Sequence, residues 1–178
     1  HLAYVGTSTV TYGELEKAVD CYRNTLYALG IRKGDRVGLY TANCAEFVYV
    51  YMGVTSLGAI IVPINNSLVD REVDYILKDA GAKLLVSDTP LTVSCDFIEL
   101  SRLNEKAFSE NAPAAPDVSG ELSEDDVCAL VYTSGTTGNP KGAMLTHKNQ
   151  IRNVEQYVQL VPVDEHSRLS LIHISEPT

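Results

Sequence analysis

The sequence is short of positive charge. Its 178 residues include 14 lysines and arginines against 23 aspartates and glutamates, which gives a formal net charge of -9 at pH 7. The long-range field of such a protein repels polyanions, so we expect no nonspecific binding to nucleic acid or to an anionic membrane surface. An anionic small molecule would need cations and hydrogen-bond donors placed locally around it.

The sequence also lacks the cysteine spacing of a zinc site or a disulfide framework. Its four cysteines include no CxxC pair and are not clustered with the four histidines. We therefore expect reduced thiols and no protein-bound metal. Cys44 and Cys128 are expected to be small core residues rather than nucleophiles, because neither has a histidine nearby in the sequence.

No apolar run is long and continuous enough to predict a membrane span. The most apolar window, residues 47–64, is interrupted by two glycines, Thr55, Ser56 and a proline, and we interpret it as buried core. The sequence begins at His1 rather than Met and shows no charged-then-apolar leader with a cleavage site. We expect a cytoplasmic location.

Hydrophobic periodicity predicts three helices in the first half of the sequence. A capping box at Thr11 and Glu14, followed by apolar residues at helical spacing, predicts a helix over residues 12–29. Asn43, with Glu46 three residues later, predicts the start of a second helix, which is apolar almost all round and is therefore expected to be buried. A third, amphipathic helix is predicted to end at Gly81.

Short apolar runs between these helices predict strands over residues 37–41, 59–64 and 83–86, with a further short strand at 97–100. Strands that alternate with helices pair in parallel through right-handed crossovers. The sequence therefore predicts an α/β fold, a mostly parallel sheet with helices on both faces.

The segment 110–126 is rich in proline, alanine, serine and acidic residues, and its lack of apolar periodicity predicts a surface loop. The apolar run 127–132 predicts a strand that leads directly into TSGTTGNPKG, residues 133–142. Residues 142–145 are predicted to form another short strand, and residues 148–161 a helix. His147, at the start of that helix, is expected to be solvated rather than a ligand contact.

The motif TSGTTGNPKG has the chemistry of a polyphosphate-binding loop. Glycines allow the backbone to approach a ligand closely, and successive amides in such turns can point together at an anion. Hydroxyls and Lys141 add donors and a positive charge. The GxxxxGK[ST] loop does not fit, because Pro140 stands where its second glycine belongs and Gly142 where its metal-binding hydroxyl belongs. The sequence around the motif also lacks GxGxxG and GxSxG.

The longer stretch TSGTTGNPKGAMLTH resembles the signature of the adenylate-forming (AMP-binding) superfamily, which includes acyl-CoA synthetases, luciferases and peptide-synthesis adenylation domains. Upstream, TYGELEKAV, LGIRKGDRV, NCAEFVYVYMGVTSLGAIIVPIN and EVDYILKDAGAKLLV resemble, in order, the early N-terminal domain of acyl-CoA ligases. The resemblance covers residues 3 to about 168. It implies that residues 1–168 are an incomplete N-terminal AMP-binding domain of an adenylate-forming enzyme.

The resemblance implies an ATP-dependent acid–CoA ligase, with a fatty acid as the expected small-molecule carboxylic acid. A carboxylate would attack the α-phosphate of Mg·ATP, releasing pyrophosphate, and a thiol would then displace AMP. ATP, Mg2+ and CoA are the implied cofactors, with the CoA site outside this fragment. Lys141 would stabilise the charge of the departing pyrophosphate, which makes it the one candidate catalytic residue. The residues that the resemblance assigns to the β- and γ-phosphates are Thr133, Ser134, Gly135, Thr136, Thr137, Gly138 and Lys141.

Other interpretations of the motif remain open at this point. Within the superfamily, a carrier-protein-loading adenylation domain is the alternative to a CoA ligase. A noncatalytic nucleotide-binding module and a glycine-rich hairpin without a ligand are the alternatives of another class. The basic residues Lys83, Lys148 and Arg152 are expected to be solvated rather than to bind substrate.

The last residues, LSLIHISEPT, do not follow the family pattern. They resemble the in-frame translation of a transposase sequencing-library adapter, so we expect residues 169–178 to be an artefact rather than native protein. In the family, the adenine-binding segment, the ribose-binding aspartate, the acyl pocket and the catalytic lysine of the mobile domain all lie further downstream. We therefore expect this fragment alone to be inactive.

Overall fold

A computed structural model of the chain describes residues 2–3, 9–109, 112–133 and 140–161. The five helices found there are α1 (Tyr12–Ala28), α2 (Ala45–Ser56), α3 (Asp70–Ala80), α4 (Leu100–Ser109) and α5 (His147–Leu160). The strands are β1 (Leu2–Ala3), β2 (Thr9–Val10), β3 (Arg36–Tyr40), β4 (Ile60–Pro63), β5 (Leu84–Ser87), β6 (Asp96–Glu99), β7 (Val127–Thr133) and β8 (Lys141–Thr146). One 3-10 turn, Ser119–Glu121, interrupts the connection between α4 and β7.

Six of these strands form one sheet in the order β6-β5-β3-β4-β7-β8. Every neighbouring pair is parallel except β7 and β8, which are antiparallel. Strands β1 and β2 form a separate antiparallel pair. The predicted α/β class with a mostly parallel sheet is confirmed, and β8 confirms the strand that was predicted after the glycine-rich motif.

Helices cover both faces of the sheet, as the alternation of side chains along β5 illustrates. Leu84 and Val86 pack on one face with residues of α1, α2 and α4. Leu85, between them, points to the other face and packs with Val73 and Ile76 of α3. Parallel sheets need helices on both faces because apolar side chains project from both faces of each strand.

The start and the burial of α2 differ from the prediction. The residue at its N-cap is Cys44, which makes no side-chain capping hydrogen bond, so the prediction of a cap at Asn43 is wrong. Only one stripe of the helix is fully buried, Val50, Gly53 and Val54, while Met52 is 42% exposed. The stripe is where α2 packs against α1, and Gly53 permits it because an added Cβ would lie 3.2 Å from the Arg23 backbone nitrogen.

The helix α4 was not predicted from the hydrophobic periodicity of the sequence. Its buried residues Leu100, Leu103 and Ala107 are spaced three and four apart, which is the helical signal, but the helix starts directly after β6 without an intervening loop. Beyond it, the described part of the 110–126 segment contacts α1 at Ala115. There, the backbone N–H of Ala115 donates to Oδ1 of Asn24 at 2.8 Å.

Candidate functional site

The strands β7 and β8 bring the two ends of the glycine-rich motif side by side. In their antiparallel register, Thr133 lies opposite Lys141 and Tyr132 lies opposite Gly142. Residues directly opposite each other in an antiparallel pair project to the same face, so the Thr133 and Lys141 side chains are neighbours. Five of the predicted phosphate contacts lie outside the described residues, namely Ser134, Gly135, Thr136, Thr137 and Gly138.

Lys141 is available to an anionic ligand. Its side chain is exposed, and within residues 9–109, 112–133 and 140–161 no ion pair or hydrogen bond involves it. Lysines elsewhere in the described ranges do have carboxylate partners, such as Lys33 with Asp126 at 2.9 Å. A lysine ammonium is a flexible point charge with three donors, which suits phosphate oxygens.

The motif begins at the carboxyl end of β7, which is the side of an open α/β sheet where ligands bind. A cleft of about 470 Å3 adjoins it there. Its walls come from the ends of β3, β4 and β7 and the start of α2, and its polar lining includes Thr41, Asn43, Asn65, Asn66 and the phenol of Tyr132. No carboxylate is among its lining residues in the described part of the chain.

One hydroxyl of this cleft is poorly satisfied. Thr41 is 5% exposed, and its Oγ1 makes no hydrogen bond of normal geometry with any described residue. The Thr41 hydroxyl lies near the sulfur of Cys44, and a hydrogen bond from it to the thiolate would lower the pKa of Cys44. Burial has the larger effect and raises that pKa. A buried hydroxyl without a partner costs stability. A ligand in the cleft could therefore accept a hydrogen bond from the Thr41 hydroxyl.

The base of the motif is tied to α3 through Tyr132. Its hydroxyl donates a hydrogen bond to Oδ2 of Asp79 at 2.7 Å. Burial raises the pKa of the Tyr132 phenol, and the hydrogen bond to Asp79 raises it further. Neither residue is predicted from the sequence to have a role, and only the position of Tyr132 next to the motif could have suggested one.

Three of the residues predicted to stay out of the site lie at the opposite, amino-terminal edge of the sheet. Lys148 pairs with Glu124 at 2.5 Å, and the Nζ of Lys83 lies 2.7 Å from the Asp35 carboxylate. His147 is not solvated as expected, because Nε2 is shielded from solvent and has no partner among the described residues. Its backbone N–H donates to the carbonyl of Asp126, directly before β7, which places this histidine far from the Thr133 end of the strand.

All four cysteines are free thiols, as predicted, and Cys128 is fully buried. Burial raises the pKa of both Cys44 and Cys128, which lowers their thiolate fraction at neutral pH. In the described ranges, no group of three or more histidine, cysteine or acidic side chains is arranged to hold a metal ion. Across those same ranges, no helix combines the length and the apolar character that crossing a bilayer requires.

We expect the Cys128 thiol to react with iodoacetamide at neutral pH about tenfold or more slowly than in the urea-unfolded chain, because burial limits both ionisation and access. Alkylation followed by mass spectrometry of the digested protein measures this rate for each cysteine separately. Equal rates for Cys128 in the folded and unfolded chains would contradict the prediction and would reopen a nucleophilic role for it.

Comparisons with known proteins identify the family. The AMP-binding enzyme family model matches residues 1–176. The long-chain-fatty-acid–CoA ligase FadD13 of Mycobacterium tuberculosis is 36% identical over 95% of this chain, which spans 36% of FadD13. A crotonobetaine/carnitine–CoA ligase of Escherichia coli is also 36% identical, over 78% of this chain and 31% of its own length.

A comparison of the fold with solved structures supports the same family. The structure of the O-succinylbenzoate coenzyme A synthetase MenE from Bacillus subtilis, in complex with AMP, superposes with a TM-score of 0.81. That match has 28% sequence identity and covers 91% of this chain and 42% of MenE. The chain thus spans about a third of the length of the curated relatives, 36% and 31%. Since nearly every residue falls within the family match, the chain belongs to the AMP-binding enzyme family.

Proposed function

We propose that this chain is the N-terminal part of an ATP-dependent acid–thiol ligase that joins a carboxylic acid to CoA through an acyl-adenylate. The observation that carries the proposal is the base of the glycine-rich motif. There, Thr133 and Lys141 are cross-strand neighbours at the carboxyl edge of the sheet, and no residue in the described ranges pairs with the Lys141 ammonium. The names of both curated relatives, which are CoA ligases, support the same reaction class.

We further propose a fatty acid as the carboxylic acid. FadD13, which aligns with 95% of this chain, is named a long-chain-fatty-acid–CoA ligase. The E. coli relative is named for a different acid, although it is also a CoA ligase. The reaction class therefore rests on two names and the acid on one of them.

In this proposal the motif holds the β- and γ-phosphates of Mg·ATP. The described residues fit a polyphosphate, because Lys141 is exposed without a partner among them and no carboxylate lines the adjoining cleft. Lys141 would stabilise the negative charge that develops on the departing pyrophosphate. Mg2+, when bound, would neutralise part of the phosphate charge. The phosphate-holding residues are Thr133, Ser134, Gly135, Thr136, Thr137, Gly138 and Lys141.

The domain assignment is part of the proposal. Residues 1–168 form a partial N-terminal domain with 110–126 as its surface loop, while the CoA site lies in sequence beyond this fragment and the complete enzyme is cytoplasmic. Residues 169–178 are an adapter artefact in this proposal. Sequencing of genomic DNA through codon 168 tests that point directly, and a genomic reading of LSLIHISEPT would overturn it.

Calorimetric binding to the purified 178-residue chain tests the assignment of the loop. With Mg2+ present, we expect inorganic pyrophosphate and ATP to bind, and AMP to bind at least about tenfold more weakly, because AMP lacks the phosphates that charge-assisted donors would hold. The absence of pyrophosphate binding would contradict the assignment.

A second assay separates phosphate binding from catalysis. We expect no ATP–pyrophosphate exchange above the blank with a panel of carboxylic acids, since the chain spans only 36% of FadD13. Exchange above the blank would support the ligase chemistry but would refute the inactivity of the fragment.

A further inference from the structure

The side chain of Tyr132 crosses over the strand that carries Lys141. Tyr132 lies opposite Gly142, and a Cβ added at Gly142 would be 2.9 Å from Cζ of the ring and 3.2 Å from its hydroxyl oxygen. A distance below 3 Å to a ring carbon is a clash, so no residue with a side chain fits under the ring without moving it. The ring and the glycine therefore form an interlocking pair at the base of the motif.

The far end of the same ring is held by a different part of the fold. The Tyr132 hydroxyl donates to Oδ2 of Asp79 at 2.7 Å, across 53 residues of sequence. A hydrogen bond to a carboxylate is stronger than one between neutral groups. Asp79 thus fixes the direction in which the ring lies over Gly142.

Asp79 is itself on a firmly held segment. It lies in the last turn of α3, whose inner residues Ile76 and Leu77 are 1% and 2% exposed. Just beyond it, Nε of Arg36 donates to the carbonyl of Ala80 at 2.8 Å, which joins the end of the helix to β3. The hydroxyl of Tyr132 is therefore bonded to an exposed side chain of a helix that packs on the core, rather than to a loop.

We propose that Tyr132 is a positioning residue for phosphate binding: held by Asp79 and interlocked with Gly142, it sets the direction in which Lys141 leaves the strand. This inference rests on the proposed function of the motif. Lys141 is bonded directly to Gly142, so fixing the backbone of one restricts the other. A cation that is already restrained loses less conformational freedom when it binds phosphate.

Pyrophosphate affinity of single and paired variants tests the inference. We expect Tyr132→Phe and Asp79→Asn each to weaken binding by about threefold to fivefold, the effect of one partly exposed hydrogen bond. The double variant should be no weaker than either single variant, because both remove the same contact. Tyr157→Phe, which removes the hydroxyl of an exposed tyrosine on α5, is the matched control and should bind normally.

A cycle with Lys141 distinguishes positioning from a merely structural role. In the Lys141→Ala background, Tyr132→Phe should cause no further loss of affinity, because the residue that it positions is gone. An equal loss in both backgrounds would overturn the inference, as would unchanged affinity of Tyr132→Phe and Asp79→Asn. Either result would leave the proposed function intact.

If the chain binds no pyrophosphate, the assignment of the loop is wrong and affinity measurements cannot test the role of Tyr132. Hydrogen–deuterium exchange tests that role without a ligand. We expect Tyr132→Phe and Asp79→Asn to speed exchange in peptides covering residues 140–146, with urea midpoints close to that of the parent chain. Unchanged exchange in those peptides would overturn the link between Tyr132 and the Lys141 strand.

Discussion

Replacing Lys141 with alanine is expected to weaken pyrophosphate binding by about tenfold to a hundredfold, the range that follows from losing charge-assisted hydrogen bonds to an anion. The side chain is exposed, and the described residues offer it no partner, so its removal breaks no ion pair observed there. The expected loss is therefore one of ligand affinity with little change in unfolding free energy. Calorimetric titration and urea denaturation measure the two quantities separately.

Two variants make this result specific to the motif. Lys141→Arg keeps the charge and should retain most of the affinity, although the larger guanidinium presents its donors differently. Lys17→Ala makes the same change in net charge at an exposed position of α1, so it controls for the long-range field of the protein. Equal losses for Lys17→Ala and Lys141→Ala would mean that net charge, not the motif, attracts the anion.

The outcome bears on how phosphate affinity arises in an acidic protein. With a net charge of -9, the chain repels anions at long range, so binding must come from short-range donors. The strand β8, rather than a helix, follows the motif, so the dipole of a following helix is not available at this position. Lys141 is left as the full positive charge that the motif itself contributes.

Local signals in the sequence were sufficient to predict α1 and the six strands of the main sheet. The capping box is present as predicted, with the Thr11 N–H donating to the Glu14 carboxylate at 2.8 Å, and α1 ends within one residue of the predicted boundary. Continuous apolar runs correctly indicated strands covered on both faces. These features depend on neighbours within one turn or one strand, which a sequence displays directly.

The prediction at Asn43 failed because the N-cap preference of asparagine is a local signal, whereas the course of the chain after β3 depends on the whole fold. Asparagine favours an N-cap, but the chain leaving β3 keeps Asn43 in the cleft wall, and the helix starts one residue later. His147 illustrates the same limit, because nothing local shows that the connection before β7 comes close enough to shield its imidazole.

The link between Tyr132 and Asp79 marks what a single sequence could not reveal about the site. The residues are 53 positions apart, and they meet only because β7 lies next to β4 and α3 packs across the sheet. The motif residues were recognisable from their own chemistry. Their support depends on strand order, which the alternation of helices and strands leaves open.

Replacing Tyr22 with alanine is expected to lower the free energy of unfolding by about 3–5 kcal/mol, the usual cost of removing a large buried aromatic side chain. Tyr22 on α1 is fully buried, and its ring centroid lies 5.7 Å from that of Tyr49 on α2 and 6.0 Å from that of Phe108 on α4. One side chain thus joins three helices on this face of the sheet. Urea denaturation followed by circular dichroism measures the loss.

A conservative substitution of Tyr22 and a substitution of an exposed tyrosine separate the contributions of the hydroxyl and of the buried ring to stability. Tyr22→Phe keeps the ring and removes only the hydrogen bond to Oδ1 of Asn104, observed at 2.8 Å, so a loss of about 1 kcal/mol is expected. Tyr12→Ala, at a position 65% exposed, should change the unfolding free energy by less than about 0.5 kcal/mol. Near-equal stability of Tyr22→Ala and Tyr12→Ala would mean that Tyr22 is not buried between α1, α2 and α4. That result would contradict the packing of these three helices around one ring on this face of the sheet.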